Sequence, residues 1–554
     1  MQDALQYQLD ALKCEVADWG RSDSNKGQIY TRNEVVQFML TTIGLNSRDD
    51  FKNARILEPS CGEGEFVVAI VDRLLGSYSK RPSVSQLAPK LIAVDLVSDS
   101  LEIAKNKVAS KLKLKGFSKN EISDLFKHWF VESDFLLENM SSEFTHIIGN
   151  PPYVRVENIP KSLLSEYRRR YQTMTDRADL YIPFFEKSLS LLKDGGRLAF
   201  ICTDRWTKNV YGKSLRKFIS DSYSLELYID LYGVDAFDRG VMTYPAITQI
   251  KKGKANQTIL KHEVIFNNEE ASNILAEING EHVNPNVARN IVNNDKPWLL
   301  CSPEQLTLIK KLERRLPLIE NTGCKVFIGA ATGSNKVYIV DSSYVGTLIE
   351  KERLLPVVTA NELKNGSINW RGRYLINTYD ENGLIELDDY PLMASYLREH
   401  HEELSKRHTA KKNPSQWFRT IDRVYAERAN MEKLLIPDIS NKPIVLYDEG
   451  RFHPNNSIYY ICSDKWELQA LKVILLSNLT KFFISAYSTR VAKGYLRFQA
   501  QHLRKLRLPN WDDIELNLQK RLLNAGITDD VISYDELTCE VYQLSEEEKA
   551  IIGM

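Results

Sequence analysis

Short apolar runs alternate with amphipathic stretches through the first half of the chain. The apolar runs have the length of buried strands and fall at Arg55 to Leu57, Lys90 to Asp95, Thr145 to Ile148, Gly196 to Ile201 and Ser224 to Asp230. The stretches between them repeat apolar residues at helical spacing, at Phe66 to Leu75, Ser98 to Leu114, Tyr181 to Leu192 and Lys213 to Asp221. Strands that alternate with helices are typical of a parallel α/β sheet. Asp194-Gly195-Gly196 is expected to end a helix and turn the chain into the next strand.

This alternation fades after about Lys254, and a segment rich in Asn and Glu follows. Beyond it, shorter strand-like runs such as Lys325 to Gly329 and Lys336 to Val340 predict a second domain of α+β type. We therefore expect five segments. They are an N-terminal helical extension (1–26), an α/β domain (27–265), a connector (266–300), the second domain (301–510) and an acidic C-terminal tail (511–554).

Length and composition agree with a folded protein of two or three domains. The 554 residues are 43% apolar and 26% charged, which is the composition of a soluble globular protein. The 73 basic and 73 acidic side chains cancel, so any attraction to a polyanion must be local. Residues 481–510 hold seven basic and no acidic residues, whereas residues 511–554 hold three basic and eleven acidic ones.

Three features of the sequence bear on the cellular location of the protein. Lys472, Asn478 and Lys481 interrupt the most apolar segment, so no run reaches the roughly 18 residues that a membrane span needs. The opening MQDALQYQLD has neither the basic nor the apolar region of a secretory signal. The seven cysteines form no C-x-x-C pair, so they predict neither a disulfide framework nor a zinc knuckle. We expect a cytoplasmic protein that does not bind a membrane.

The first chemical motif lies between a predicted strand and helix, at Ile56 to Phe66 (ILEPSCGEGEF). Its glycines allow a tight turn and a close approach of a ligand to the backbone, although such turns also occur without a ligand. Glu58 within the loop would repel a pyrophosphate but suits a cation, and the third glycine of the dinucleotide fingerprint is missing. Asp95, at the end of the next strand, can bind ribose hydroxyls or serve as an ordinary turn residue. A positively charged, ribose-bearing cofactor such as S-adenosylmethionine fits both carboxylates.

The second motif is Asn150-Pro151-Pro152-Tyr153, which follows the strand that ends at Ile148. Two prolines remove two N–H donors and stiffen the backbone, which leaves the preceding carbonyl oxygens free to face a cleft. A rigid turn is the alternative interpretation. Ligands bind at the carboxyl edge of an open α/β sheet, so the position of this motif favours a ligand-binding role over a simple rigid turn.

These motifs, in this order, resemble those of the TaqI-like, gamma-class N6-adenine DNA methyltransferases of bacterial restriction and modification systems. The resemblance implies a Rossmann-like methyltransferase domain with a mixed, mostly parallel sheet, followed by a target-recognition domain, and it implies S-adenosylmethionine as the cofactor. The Asn150 side-chain oxygen and the Pro151 carbonyl would accept hydrogen bonds from the adenine amine, with Pro152 completing the rigid turn. Because a base inside a duplex cannot reach such a pocket, it must be flipped out, and Tyr153 and Phe237 would stack on it. Tyr244 is the alternative to Phe237, which could instead be a core residue.

The resemblance also implies a set of cofactor-binding residues. Tyr30 and Thr31 would line the methionine end of the cofactor, although Arg32 stands where the family usually has proline. Asp134 would accept from the cofactor adenine and Phe135 would pack on its ring, while a plain helix cap is the alternative for this pair. Leu180, Tyr181 and Phe184 resemble the helix beside the pocket. The full set is Tyr30, Thr31, Glu58, Pro59, Cys61, Gly62, Gly64, Asp95, Leu96, Asp134, Phe135 and Asn150.

In this family the region after the catalytic domain recognises double-stranded DNA. Basic residues lie among Phe482, Phe483, Tyr487, Tyr495 and Phe498, which suits phosphate contacts together with stacking, although a solvated surface has the same composition. Candidate DNA-binding residues are Lys411, Lys412, Arg419, Arg490, Lys493, Arg497 and Arg504.

Two further features bear on function. His400, His401 and His408 lie in a charged helical stretch without suitable partner ligands, so we expect no metal. The segments around Asp438 and Asp448 lack the lysine that a nuclease motif needs, so we expect any restriction endonuclease or defence-system partner to be a separate polypeptide. Methylation of RNA or of a protein glutamine, and an inactive DNA-specificity module, remain as alternative functions.

Overall fold

A computed structural model shows the fold of the chain. It describes Trp19 and residues 29–141, 143–232, 234, 236–237, 245–262, 264–282, 287–364, 366–440, 442–488 and 495–554. The chain divides into two compact units, Met1–Pro303 and Glu304–Met554.

The first unit is an α/β domain. Its strands are β1 (Ile56–Glu58), β2 (Leu91–Asp95), β3 (Phe130–Glu132), β4 (Phe144–Gly149), β5 (Leu192–Thr203), β6 (Tyr223–Asp230), β7 (Pro245–Lys252), β8 (Gln257–His262) and β9 (Val287–Arg289). Its helices are α1 (Asn33–Thr42), α2 (Arg48–Lys52), α3 (Glu65–Gly76), α4 (Val84–Leu87), α5 (Ser98–Leu114), α6 (Lys119–Trp129), α7 (Lys161–Arg170), α8 (Tyr181–Leu191), α9 (Lys213–Ser222) and α10 (Asn268–Ile278).

The nine strands form one sheet in the order β3-β2-β1-β4-β5-β7-β6-β8-β9. Pairing is parallel from β3 to β5, whereas β7 runs antiparallel to both of its neighbours, β5 and β6. The predicted mixed, mostly parallel sheet is confirmed. Helix α10 and strand β9 lie in the stretch that the sequence predicts as a connector, and β9 pairs with β8 at the edge of the sheet.

Local sequence explains where these elements begin and end. Helix α6 starts at a capping box in which Ser118 and Glu121 satisfy each other's backbone N–H groups, and it buries Ile122, Leu125 and Trp129. Helix α8 ends at Leu191, before the stop predicted at Asp194 to Gly196, and these three residues lie within β5, where the register with β4 is irregular because Phe144 pairs with Leu192 and His146 with Arg197. Gly195 permits this with a left-handed φ of 73°.

One apolar core of this unit lies on the face of the sheet that helices α1, α3, α5 and α6 cover. Val36, Val67, Ile70, Leu101 and Leu125 are all fully or almost fully buried there. This packing holds the parallel strands in register and leaves their carboxyl ends together at one edge.

The second unit begins in helix α11 (Pro303–Arg315). Its strands are β10 (Cys324–Ile328), β11 (Ile339–Asp341), β12 (Leu354–Val358), β13 (Leu363–Lys364), β14 (Ser367–Ile368), β15 (Arg373–Ile376), β16 (Lys433–Pro437), β17 (Ile439–Ser440), β18 (Leu446–Asp448), β19 (His453–Pro454), β20 (Ile458–Ser463) and β21 (Leu496–Arg497). Its further helices are α12 (Asn335–Tyr338), α13 (Pro391–Glu399), α14 (His401–Ser405), α15 (His408–Lys412), α16 (Leu468–Leu476), α17 (Asn478–Tyr487), α18 (Ala500–Leu503), α19 (Leu516–Thr528), α20 (Tyr534–Tyr542) and α21 (Glu546–Ile551).

Two four-stranded sheets form the centre of this unit, in the orders β10-β20-β16-β18 and β11-β15-β12-β19. This confirms an α+β second domain. The strand predicted at Lys336 to Val340 is wrong in its first half, because the N–H groups of Val337 and Tyr338 both bond to the Ser334 carbonyl and form a helical turn. Residues 511–554 fold as helices α19 to α21, and Lys472 of α16 pairs with Asp529 at 2.7 Å.

Within the part of the chain that the structure describes, no single helix is long and apolar enough to cross a membrane. Helices α16 and α17 meet that criterion together, but they are bent by 65° at the break between them.

Candidate active site

The carboxyl ends of four adjacent strands bring the predicted cofactor residues to one cleft. Glu58 ends β1, Asp95 ends β2, Asp134 follows β3 and Asn150 follows β4. The cleft encloses about 1050 Å³, part of it open to solvent. Its position is where open α/β sheets bind ligands.

The glycine loop between β1 and α3 is fixed by backbone contacts with β2. The Cys61 N–H donates to the Val94 carbonyl at 2.9 Å, and the Gly62 N–H donates to Asp95 Oδ2 at 2.7 Å. Gly64 adopts a left-handed φ of 92°, and a β-carbon there would lie 2.9 Å from the β-carbon of Ala104 on α5. Gly64 is therefore required for the turn and for helix packing, and it does not line the cleft.

Glu58 is the most unusual charge in the cleft. The residue is 1% exposed, and its Oε2 atom is buried without a hydrogen-bond partner. Burial raises the pKa of Glu58 well above its ordinary value, and the charges of Glu65 and Asp95 add to the rise. A buried carboxylate without a cation is costly, so this environment suits a positively charged ligand.

Two further carboxylates of the cleft, Asp95 and Asp134, are held by the protein itself. Asp95 Oδ1 accepts from the Val97 N–H at 2.9 Å, opposite the bond from Gly62. Asp134 Oδ1 accepts from the Leu136 N–H at 2.7 Å, and its Oδ2 accepts from the Tyr167 hydroxyl. Burial raises the pKa of both groups, and these donated hydrogen bonds oppose the rise.

Asn150 presents an acceptor to the cleft. Its Nδ2 donates to the Ile29 carbonyl at 2.9 Å and to Thr31 Oγ1 at 3.2 Å, while its Oδ1 is buried without a partner. Because a carbonyl only accepts, the Ile29 contact identifies which end of the amide is the NH₂ group. The Asn150 backbone carbonyl accepts from the Ser60 hydroxyl at 3.1 Å, which ties the Asn-Pro-Pro-Tyr turn to the glycine loop.

Tyr153 and Phe237 contact each other beside this turn. Their ring centroids are 6.5 Å apart with an interplanar angle of 83°, and the Tyr153 hydroxyl donates to the Ile201 carbonyl at 3.2 Å. Phe237 is 4% exposed and belongs to the apolar core. An isolated β-bridge joins it to Thr31. The alternative residue, Tyr244, lies outside the described part of the chain.

Most of the predicted cofactor set lines the cleft. Its lining includes Tyr30, Thr31, Glu58, Pro59, Cys61, Gly62, Asp95, Leu96, Asp134, Phe135 and Asn150, together with Pro152, Leu180 and Phe184. Gly64, Pro151, Tyr153, Tyr181 and Phe237 are not part of this lining.

Sequence reasoning missed several contributors, among them Ser60, Tyr167 and Ile29. Ser60 lies inside the quoted glycine motif, yet a serine in a loop carries no specific signal. Tyr167 lies on α7, far along the chain from Asp134, and nothing in its local sequence predicts the contact. Ile29 acts through its backbone carbonyl, which any residue type would supply.

The predicted DNA-binding residues of the second unit fall into three groups. Lys411 and Lys412 are exposed on α15, and Arg419 is half-buried with its Nη1 donating to Gln416 at 3.1 Å. Arg497 pairs with Asp438, and Arg504 pairs with Glu320 at 3.1 Å. Arg490 and Lys493 lie outside the described residues.

Four of the aromatic residues that the sequence predicts as stacking surfaces, Phe482, Phe483, Tyr487 and Phe498, are buried in this unit. Phe482, Phe483 and Tyr487 pack as core residues because helix α17 has apolar positions on most of its surface. Tyr495 is half-buried.

The residues of the cleft fit S-adenosylmethionine, as the sequence predicts. The unpartnered Glu58 carboxylate oxygen suits its positive charge, Asp95 lies at the strand end where ribose hydroxyls bind, and Phe135 and Phe184 supply apolar walls. No group of three or more His, Cys, Asp or Glu side chains with metal-binding geometry occurs among the residues that the structure describes.

Comparison with known proteins gives a consistent result. Residues 83–237 match the Eco57I restriction-modification methylase family, and residues 355–508 match the TaqI-like C-terminal specificity domain. The chain is 40% identical to the type II methyltransferase M.XhoI of Xanthomonas vasicola, over 95% of this chain and 99% of that protein. It is 39% identical to M.PaeR7I of Pseudomonas aeruginosa, over 95% of this chain and 93% of that protein.

Among solved structures, the type IIL restriction-modification enzyme MmeI in complex with DNA has a similar fold. The TM-score is 0.61 at 12% sequence identity, and the match covers 94% of this chain and 75% of that one. At this identity the likeness concerns the fold alone.

Proposed function

Because the chain belongs to the type II DNA methyltransferases of restriction-modification systems, we propose that its target is the exocyclic N6 amine of adenine in double-stranded DNA. S-Adenosylmethionine is the cofactor, and when bound it supplies a methyl group activated by the adjacent sulfonium.

The observation that carries the proposal is the unpartnered Oδ1 atom of Asn150. Its Nδ2 is held by Ile29 and Thr31, so the amide offers the cleft an acceptor and no donor. An exocyclic amine has N–H groups to donate to such an acceptor. It also has a lone pair that is delocalised into the ring, and a hydrogen bond to Asn150 Oδ1 favours the pyramidal nitrogen in which that pair can attack. In the same way, the Pro151 carbonyl would accept the second N–H of the amine.

The surroundings of Asn150 support the same assignment. Tyr153 and Phe237 form an aromatic pair beside the turn, where a flipped base can stack on one or both rings. The two prolines limit movement of the backbone that carries the acceptors. Glu58, Asp95 and Asp134 line the same cleft as Asn150, where they would hold the cofactor with Glu58 facing its positive charge.

No nucleophilic side chain is needed for this reaction. Burial raises the pKa of the Cys61 and Cys202 thiols well above the ordinary value, so both stay protonated at neutral pH. The amine would therefore attack the methyl group directly, so that the N–C bond forms as the C–S bond breaks and the cofactor leaves as its neutral thioether, S-adenosylhomocysteine. Asn150 is not basic, and the proton that the amine loses after transfer passes to water.

The second unit would position the duplex, with Lys411, Lys412 and Arg419 as candidate phosphate contacts in the described part of the chain. Within a restriction-modification system, a separate endonuclease would cut the same site when it lacks the methyl group.

The test is direct identification of the product. Unmethylated DNA of mixed sequence is incubated with the protein and isotopically labelled S-adenosylmethionine, digested to nucleosides and analysed by mass spectrometry. We expect labelled N6-methyldeoxyadenosine, and none with the Asn150→Ala variant. A labelled methyldeoxycytidine would overturn the adenine assignment, and label in parallel incubations with RNA or protein but not with DNA would overturn the substrate class.

A further inference from the structure

The upstream segment 29–31 holds the amide of Asn150 in a single orientation. Asn150 Nδ2 has two hydrogens, and the structure gives each an acceptor: the Ile29 carbonyl at 2.9 Å and Thr31 Oγ1 at 3.2 Å. Thr31 is 3% exposed, so water does not compete freely for this contact.

The alternative orientation of the amide would put its oxygen against the Ile29 carbonyl oxygen. Two acceptors would then face each other in a buried site, and the NH₂ group would point into the cleft. The NH₂ group of Asn150 would then face the N–H groups of a target amine and could not accept hydrogen bonds from them. The orientation of the Asn150 amide therefore decides whether a hydrogen-bond acceptor faces the cleft.

The segment that imposes the orientation is anchored independently of Asn150. The Arg32 N–H donates to the Ala236 carbonyl at 3.1 Å, and an antiparallel bridge joins Thr31 to Phe237. The same short contact therefore places both the amide-orienting hydroxyl and the aromatic ring beside the turn.

We propose that Thr31 is a positioning residue for methyl transfer, whose hydroxyl, together with the Ile29 carbonyl, orients the Asn150 amide so that Oδ1 faces the target amine. This assignment rests on the proposed role of Asn150. It differs from a cofactor-lining role, in which Thr31 would act on S-adenosylmethionine affinity and leave the transfer step unchanged once the cofactor is saturating.

The test compares Thr31→Val, which removes the hydroxyl at nearly constant volume, with Thr31→Ser, which keeps it. The single-turnover rate constant of methyl transfer is measured with saturating S-adenosylmethionine and DNA, and the cofactor dissociation constant is measured separately by calorimetry. Losing one neutral hydrogen bond to the acceptor-bearing amide corresponds to roughly a 3- to 10-fold lower rate. We expect that loss in Thr31→Val, a rate within about twofold of the wild type in Thr31→Ser, and a cofactor dissociation constant changed by less than about threefold in both.

Thr42→Val is the matched control. Thr42 is also buried, but its hydroxyl bonds to the Met39 carbonyl within α1 and lies outside the cleft. Its transfer rate should equal that of the wild type. A target adenine replaced by 2-aminopurine reports base flipping by fluorescence, and that signal should be unchanged in Thr31→Val, because the backbone bridge to Phe237 does not need the hydroxyl.

The outcomes separate the two proposals. If Asn150→Ala methylates DNA at a rate comparable to the wild type, the proposed role of Asn150 fails and this inference fails with it. If Asn150→Ala is inactive and Thr31→Val transfers at the wild-type rate, the role of Asn150 stands and the positioning role of Thr31 is wrong. A Thr31→Val variant that binds the cofactor at least tenfold more weakly, yet transfers normally at saturation, would identify Thr31 as a cofactor contact instead.

Discussion

The carboxylate of Asp95 accepts a 2.7 Å hydrogen bond from the backbone N–H of Gly62, so the end of β2 holds the glycine loop that follows β1. The other carboxylate oxygen accepts from the Val97 N–H at 2.9 Å. One side chain thus fixes the loop and its own position at the strand end, where it lines the cleft. The remaining lone pairs of the two oxygens can still accept from ribose hydroxyls.

Replacing Asp95 by Ala should therefore weaken cofactor binding in two ways, by removing the ribose contact and by releasing the loop. Hydrogen bonds to a charged group contribute about 1.5 to 3 kcal/mol each, so we expect the S-adenosylmethionine dissociation constant to rise at least about tenfold. Calorimetric titration measures this. Asp99→Ala is the control, since Asp99 is an exposed residue in the first turn of α5 and should leave the dissociation constant unchanged. Equal affinity in the two variants would contradict the role given to Asp95.

Glu58 predicts a pH dependence with a definite sign. Burial raises its pKa well above the 4.5 of a free glutamate, so the folded, cofactor-free protein holds a proton that the unfolded chain has released. The free energy of unfolding should therefore fall as pH rises from about 4.5 through the raised pKa. The difference between wild type and Glu58→Gln, measured by denaturant unfolding from about pH 5 to 8, isolates this contribution. The variant should gain stability relative to the wild type as pH rises, and a difference that does not change with pH would contradict the raised pKa of Glu58.

Cofactor binding should show the opposite pH trend, because a cationic ligand favours the ionised form of Glu58. Binding of S-adenosylmethionine should then release protons, and its affinity should increase with pH until Glu58 is fully ionised. Calorimetry in buffers with different ionisation enthalpies counts the protons. In Glu58→Gln we expect the release to shrink and the affinity to fall about tenfold or more. Proton release that is identical in both proteins would assign it to another group.

The two glycines at the ends of α3 should respond differently to the same substitution. Gly64 has a φ of 92° and no room for a β-carbon beside Ala104, whereas a β-carbon at Gly76 would meet nothing within 4 Å. Gly64→Ala should destabilise the protein by about 1 to 3 kcal/mol, and Gly76→Ala should be neutral or stabilising by up to about 1 kcal/mol. Thermal unfolding of both variants measures the contrast. A Gly64→Ala protein as stable as Gly76→Ala would show that the turn tolerates a side chain.

Much of this site could be predicted because each motif directly follows a strand. The ends of β1, β2 and β4 carry Glu58, Asp95 and Asn150, and parallel pairing then brings these residues to one edge without further information. The ranges of β2, β6 and α5 also agree with the predicted ones to within one residue at each end. Strong periodicity and a clear turn signal are enough at these places.

The contacts that could not be predicted involve atoms whose positions the residue pattern does not specify. The Ile29 carbonyl orients Asn150 from more than a hundred residues away, and a backbone carbonyl does not depend on residue type. Gly64 matches the cofactor motif, yet its observed role is helix packing, since the motif does not reveal the position of Ala104. Arg497 and Arg504 are among the seven basic residues of the stretch 481–510, but each is paired with a carboxylate from a distant segment.

Because Arg497 is paired with a carboxylate, we expect it to contribute less to DNA binding than the exposed lysines of α15. Lys411 and Lys412 are exposed on α15, whereas Arg497 would have to exchange Asp438 for a phosphate. We expect Lys411→Ala with Lys412→Ala to weaken duplex binding, and the slope of log affinity against log salt should become shallower by about 0.9 for each phosphate that the protein no longer neutralises. Arg497→Ala should lower thermal stability and leave the slope nearly unchanged.

Lys113→Ala with Lys115→Ala, exposed at the end of α5, removes the same charge elsewhere and controls for the long-range field. Fluorescence anisotropy with a labelled duplex, titrated between about 50 and 200 mM salt, measures all three. An unchanged slope in the Lys411 and Lys412 variant would exclude α15 from the phosphate contacts.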